Sequence, residues 1–148
     1  MEHLRSLLET ATTIELVDWP HQDVPATLIR AGYDVVGHEP DGFRRYEIVD
    51  EQPPGRLFPL TDGGYLGSEK LAALPTGIDI VNTYRPAEEQ PGIARGAVET
   101  CARAFWVQPG EDSSDEARSI TQAAGLVFVD GVDIAQAVRE LDVHVASR

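Results

Sequence analysis

The stretch from Gly77 to Gly110, GIDIVNTYRPAEEQPGIARGAVETCARAFWVQPG, constrains the fold more tightly than any other part of the chain. Ile78–Asn82 and Ala104–Val107 are short apolar runs. Between them, Pro86–Arg103 carries helical spacing, with Ile93, Ala97, Val98 and Cys101 on one face. That face predicts Cys101 to be a small core residue. Strand, crossover helix and strand make the parallel βαβ unit, which is right-handed almost without exception. The carboxyl ends of its strands form a ligand-facing rim. Here those ends carry Tyr84, Arg85 and Pro86, then Gln108, Pro109 and Gly110, which are polar or rigid and suited to holding a ligand.

The same alternation extends along the whole chain. Five short apolar runs read as strands covered by helices on both faces: Ile14–Val17, Asp34–Gly37, Ile78–Asn82, Ala104–Val107 and Leu126–Val129. Helical segments at Val24–Ala31, Tyr65–Leu74, Pro86–Arg103 and Ser113–Ala124 lead each run into the next. Glu2–Thr10 reads as an opening helix, and Asp133 as the N-cap of a last one. The expectation is an α/β fold in one domain spanning residues 1–148. Asp41–Gly64 interrupts the rhythm with Pro53-Pro54-Gly55, Pro59 and Asp62-Gly63-Gly64. A connection this long is uncommon unless it is functional or has structure of its own. Arg45–Val49 and Arg56–Leu60 could pair as a hairpin, or the segment is a plain surface loop. It leaves the end of the second strand, so it is a candidate lid over the rim.

Charge narrows the partners. Twelve basic residues against twenty-five acidic give a net charge of −13, and the basic residues form no stripe that could neutralise phosphates. Nucleic acid is therefore not an expected partner. No apolar run reaches the length of a membrane span, and the N-terminus lacks the basic-then-apolar order of a secretory signal. With Cys101 as the single cysteine, neither an internal disulfide nor a cysteine zinc cluster can form. A cytoplasmic location is expected.

Four blocks in order, GYDVVGHEP, YLGSEKLAALPTGIDIVNTYRP, ARAFWVQPGE and EARSITQAAGLVFVDGVDI, resemble the small bacterial CoA-binding proteins. These are similar to the CoA-binding domain of the succinyl-CoA synthetase alpha subunit. The resemblance runs from about Ile14 to Ile134. It implies a Rossmann-like, doubly wound sheet of five parallel strands in the order 3-2-1-4-5, with CoA or a related adenine nucleotide across the strand ends. It further implies that Pro40 lies where the adenine moiety approaches the backbone. Tyr84, Arg85 and Pro86 match the block after strand three, where an arginine meets phosphate with a planar charged fork. Gln108 and Gly110 match the amide and open backbone after strand four. Asp18, Trp19 and His38 complete the implied cofactor-binding set. The resemblance implies a binding protein without an assigned reaction rather than an enzyme.

The first loop departs from the family pattern. Where members carry a Gly-Ala-Ser-type turn and a glycine- and serine-containing loop, this chain reads Val17-Asp18-Trp19-Pro20-His21-Gln22-Asp23-Val24-Pro25. Asp18 would repel a pyrophosphate, Trp19 would crowd it, and Pro20 and Pro25 each remove an N–H donor. Glu39 adds a second acid near the same crevice. The alternative is thus a degenerate member that has lost the nucleotide and acts through protein contacts as a homodimer. Asp18, His21, His38 and Glu39 could also hold a divalent metal, although their spacing matches no standard metal motif. The structural alternatives are an Arg85 paired with Glu88 or Glu89 and a Trp106 turned into the core. No G-x-S-x-G, Walker loop or GxGxxG is present, and Asp115 and Glu116 read as helix-opening charges.

Overall fold

The computed structural model describes residues 2–52 and 59–145. Helix α1 (Glu2–Thr10) is followed by β1 (Thr13–Val17), α2 (Asp23–Arg30), β2 (Asp34–Glu39), β3 (Gly42–Val49) and β4 (Tyr65–Leu71). Then come β5 (Ile80–Thr83), α3 (Gln90–Glu99), β6 (Ala104–Val107), α4 (Asp115–Ala123), β7 (Val127–Asp130) and α5 (Ile134–Glu140). The seven strands form one sheet in the order β4-β3-β2-β1-β5-β6-β7. Strands β2, β1, β5, β6 and β7 run parallel, while β3 is antiparallel to both of its neighbours, β2 and β4.

The α/β, Rossmann-like class holds, but strand count and order differ from the expected 3-2-1-4-5. Pro40 and Asp41 turn the chain so sharply that Gly42 pairs with Glu39, and β3 lies antiparallel on β2. Once that edge is occupied, β5 can add only on the free side of β1. The parallel strands consequently follow the doubly wound order 2-1-3-4-5, whose switch point lies between β1 and β5. The expected helix over Tyr65–Leu74 is instead strand β4, whose register runs from Val49↔Tyr65 to Phe43↔Leu71. Cross-strand pairing outweighed a weak local preference in a segment containing Gly67 and Ser68. Of the expected Arg45–Val49 and Arg56–Leu60 hairpin, the first strand lies within β3, whereas residues 53–58 lie outside the described residues. Pro59–Gly64 leans on α2, where Arg30 bonds the Gly63 carbonyl at 2.8 Å and Thr61 meets Asp23 at 3.4 Å.

Strand alternation divides the core in two. Ile14, Leu16, Val35, Ile80 and Trp106 face one side, with Leu8, Val24, Leu28 and Ile134 of α1, α2 and α5. Val17, Val81, Phe105 and Val107 face the other, against Ala94 and Ala97 of α3 and Ala117 of α4. Trp106 is fully buried and donates through Nε1 to the Val132 carbonyl at 2.7 Å. Asp133 caps α5 by accepting from Ala135 N. Helix α3 ends at Glu99, sooner than the sequence spacing predicts. Cys101 takes the left-handed position just beyond it (φ 61°) and is exposed, which corrects its expected place in the core.

Candidate functional site

The carboxyl ends of β1, β2 and β5 meet around a cavity of about 670 Å³ at the switch point. Val17, Asp18, Trp19, His38, Glu39, Pro40, Arg85, Glu89 and Ile93 line it. Five residues of the expected set are thereby gathered: Asp18, Trp19, His38, Pro40 and Arg85. Tyr84, Pro86, Gln108 and Gly110 are not among the lining residues.

Their separate positions have specific causes. Gly110 (φ 106°) brings its backbone against the Tyr84 ring, and a Cβ there would sit 3.1 Å from Tyr84 Cε1. Pro86 precedes a single 3₁₀ turn, Ala87–Glu89, that delivers the chain into α3. Gln108 is buried, and its amide makes three hydrogen bonds within the fold. Oε1 accepts from Asn82 Nδ2 at 3.2 Å and from Ile134 N at 2.8 Å, while Nε2 donates to Asp133 at 3.0 Å. The residue expected to present an amide to a ligand instead staples β5 and β6 to the start of α5.

Arg85 is the cationic centre of the cavity and is held on two sides. It reaches Asp18 at 3.0 Å, and Glu89 at 3.1 Å through Nε and 2.7 Å through a terminal nitrogen. Glu89 first, then Asp18, push the guanidinium pKa up, while Arg85 holds the Glu89 carboxyl below its ordinary range. Asp18 adopts φ 65°, a left-handed conformation that disfavours side chains, and also accepts from Trp19 N at 2.8 Å.

Behind the β2 wall, a chain of contacts fixes Trp19 and Glu39. Gly37 leaves room for the Tyr46 ring, since a Cβ would fall 2.3 Å from it. Tyr46 then meets Trp19 edge-on at 5.3 Å, and its hydroxyl donates to Glu39. Arg44 approaches the other Glu39 oxygen at 3.1 Å. The His38 ring lies 4.5 Å from that of Phe43, and burial lowers its pKa. Among the described residues no group of three or more His, Cys, Asp or Glu side chains is arranged to hold a metal ion.

Sequence reasoning missed Glu89 and Ile93 as lining residues. Their signal was present in the helical period after Arg85, where a residue four positions on faces back toward it.

The sequence model of the family described as the CoA binding domain matches residues 18–132. The chain belongs to the CoA-binding domain family. An uncharacterised relative, YneT of Bacillus subtilis (strain 168), is 36% identical over 97 residues, covering 63% of this chain and 67% of YneT. Two solved structures share the fold. A hypothetical protein from Pyrococcus horikoshii OT3 superposes with a TM-score of 0.64 at 20% identity, over 95% of this chain and 90% of its own. A Thermus thermophilus protein gives the same score and identity, over 95% and 97%. Within this CoA-binding domain, no helix of the described residues is long and apolar enough to cross a membrane.

Proposed function

We propose that the chain binds CoA or a related adenine nucleotide in the cavity at the β1–β5 switch point. The observation that carries this reading is the convergence there of Trp19, His38, Pro40 and Arg85, in a member of the CoA-binding domain family. Open α/β sheets bind their ligands outside the strand carboxyl ends at such a switch point. In this reading the adenine end lies against Pro40, and Arg85 exchanges a carboxylate for a ligand phosphate. No reaction is assigned to the site. Calorimetric titration with CoA, acetyl-CoA, ATP and NAD tests the reading. Saturable binding of CoA or another of these ligands supports it, whereas no heat at millimolar ligand with folded protein rejects it.

One observation favours a second reading. Three carboxylates, Asp18, Glu39 and Glu89, line the cavity with a single guanidinium that two of them already occupy. A member with this lining, having lost the nucleotide, would act through protein contacts as a homodimer. Concentration-dependent dimerisation in sedimentation experiments, with no nucleotide binding, would select that alternative.

A further inference from the structure

Glu15 occupies the middle of β1, every residue of which is buried, and is itself only 6% exposed. Burying an ionised carboxylate is costly unless a cation pairs with it. The polar group beside it is the His38 imidazole, whose Nδ1 lies 3.5 Å away. Burial lowers the His38 pKa, so the ring is a poor counter-ion at neutral pH. Glu15 nonetheless faces a second cavity, a groove of about 550 Å³ running along α3. His38, Glu89 and Ile93 line both cavities, so the groove continues from the rim down the face of the sheet.

The walls of the groove specify what would fit. Phe43, Leu74, Val81 and Ile93 supply apolar surface, and no lysine or arginine is among its described lining residues. Helix α3 turns Gly92 and Gly96 toward it, one helical turn apart, and a Cβ at either would meet nothing within 4 Å. A glycine inside a helix costs about 1 kcal/mol relative to alanine. Two of them, one turn apart, leave the groove wide above a buried carboxylate.

We propose that this groove binds an organic ammonium, a primary amine carried on an apolar chain, with the ammonium paired to Glu15. The hydrocarbon lies between α3 and the Phe43–Leu74 wall, and the cation supplies the permanent positive charge that the neighbouring His38 does not. The site does not depend on nucleotide binding at the rim.

Binding is linked to protons. Burial raises the Glu15 carboxyl to about 7, so an arriving ammonium displaces a proton from it. The other titratable groups facing the groove are His38 from β2 and Glu89 and Glu99 from α3. Glu89 is held ionised by Arg85, and a protonated His38 would compete with the ligand only on the acid side. Amine affinity therefore rises by roughly tenfold from pH 6 to pH 8, while an alkylammonium stays charged throughout.

Calorimetry of the full chain with n-hexylamine, n-hexanol and hexanoate is the test. Hexylamine is expected to bind at least roughly tenfold more tightly than either control at pH 8, the margin of a charge-assisted hydrogen bond. Glu15→Gln and Gly96→Met should each lower that affinity at least tenfold, by removing the carboxylate and filling the groove respectively. Gly96→Met leaves Glu15 intact and favours the helix, so it decides the matter if Glu15→Gln fails to fold. Hexanol binding as well as hexylamine, undiminished amine affinity in either folded variant, or no amine heat at millimolar ligand would each overturn the proposal.

Discussion

The two sides of the switch point treat polar side chains in opposite ways. On the β6–β7 side, the glutamine amides are spent on the protein itself: Gln108 joins Asn82, Asp133 and Ile134. Gln90, fully buried, joins Arg85 O, Asp112 O and Ser114 N. On the β1–β2 side, Asp18, His38 and Glu39 face the rim cavity, and Glu15 and His38 face the groove below it. Both sides place glutamine, histidine or carboxylates at strand ends. What separates them is exposure: Gln108 and Gln90 are bonded inside the fold, whereas Asp18 and Glu39 line a cavity even while paired to Arg85 and Arg44. A buried, bonded amide is architecture, whereas a carboxylate lining a cavity can exchange its partner for a ligand.

The strongest way to break this contrast is Gln108→Ala. It leaves the Asn82 amide and Ile134 N–H buried without their acceptor, and should destabilise the fold by about 4 kcal/mol in urea denaturation. A loss near zero would return Gln108 to the ligand side.

Next comes the pH dependence of stability on the open side. Folding raises the Glu15 carboxyl from 4.5 to about 7. Its contribution to stability is full below the unfolded value and is lost as pH rises through about 7. Across that window the wild type should lose about 3 kcal/mol more than Glu15→Gln, measured by chemical denaturation at a series of pH values. Parallel curves for the two proteins would mean that Glu15 is paired in the fold.

A smaller effect separates two arginines. Arg85→Ala should weaken CoA binding by about tenfold or more, the value of a charge-assisted contact. Arg118, which pairs with Asp130 and lies over the Phe128 ring away from the cavity, should give less than about a twofold change on substitution to alanine. Equal losses by calorimetry would misplace the site.

The smallest effect is expected at Asp18. Asp18→Gly suits the left-handed backbone there and frees one side of Arg85, so nucleotide affinity should rise by roughly threefold. A fall would show that Asp18 itself contacts the ligand.

Much of this was legible in the chain. The βαβ unit from Ile80 to Val107, the cap at Asp133 and the inward Trp106 follow from periodicity and capping chemistry. That Asp18, His38, Pro40 and Arg85 stand on one rim follows because all four lie at or just beyond the carboxyl ends of strands. The β3–β4 hairpin was not legible, because YLGSEKL has too few β-formers to announce a strand without its partner. The inward turn of Gln108 was not legible for a related reason: an amide at a strand end looks the same whether it meets a ligand or a helix N-terminus.

Taken alone, the sequence determined the parallel α/β core, because apolar runs of four or five residues alternating with helical faces can bury themselves in few other ways. It also determined which residues stand at the strand ends. Only the tertiary structure decided that β5 lies beside β1, because the hairpin had already taken the edge of β2. That neighbour set then placed Arg85 between Asp18 and Glu89, and left Glu15 facing a groove with no cation of its own. Strand order and pairing depend on contacts between residues far apart in the chain, and local periodicity carries no record of them.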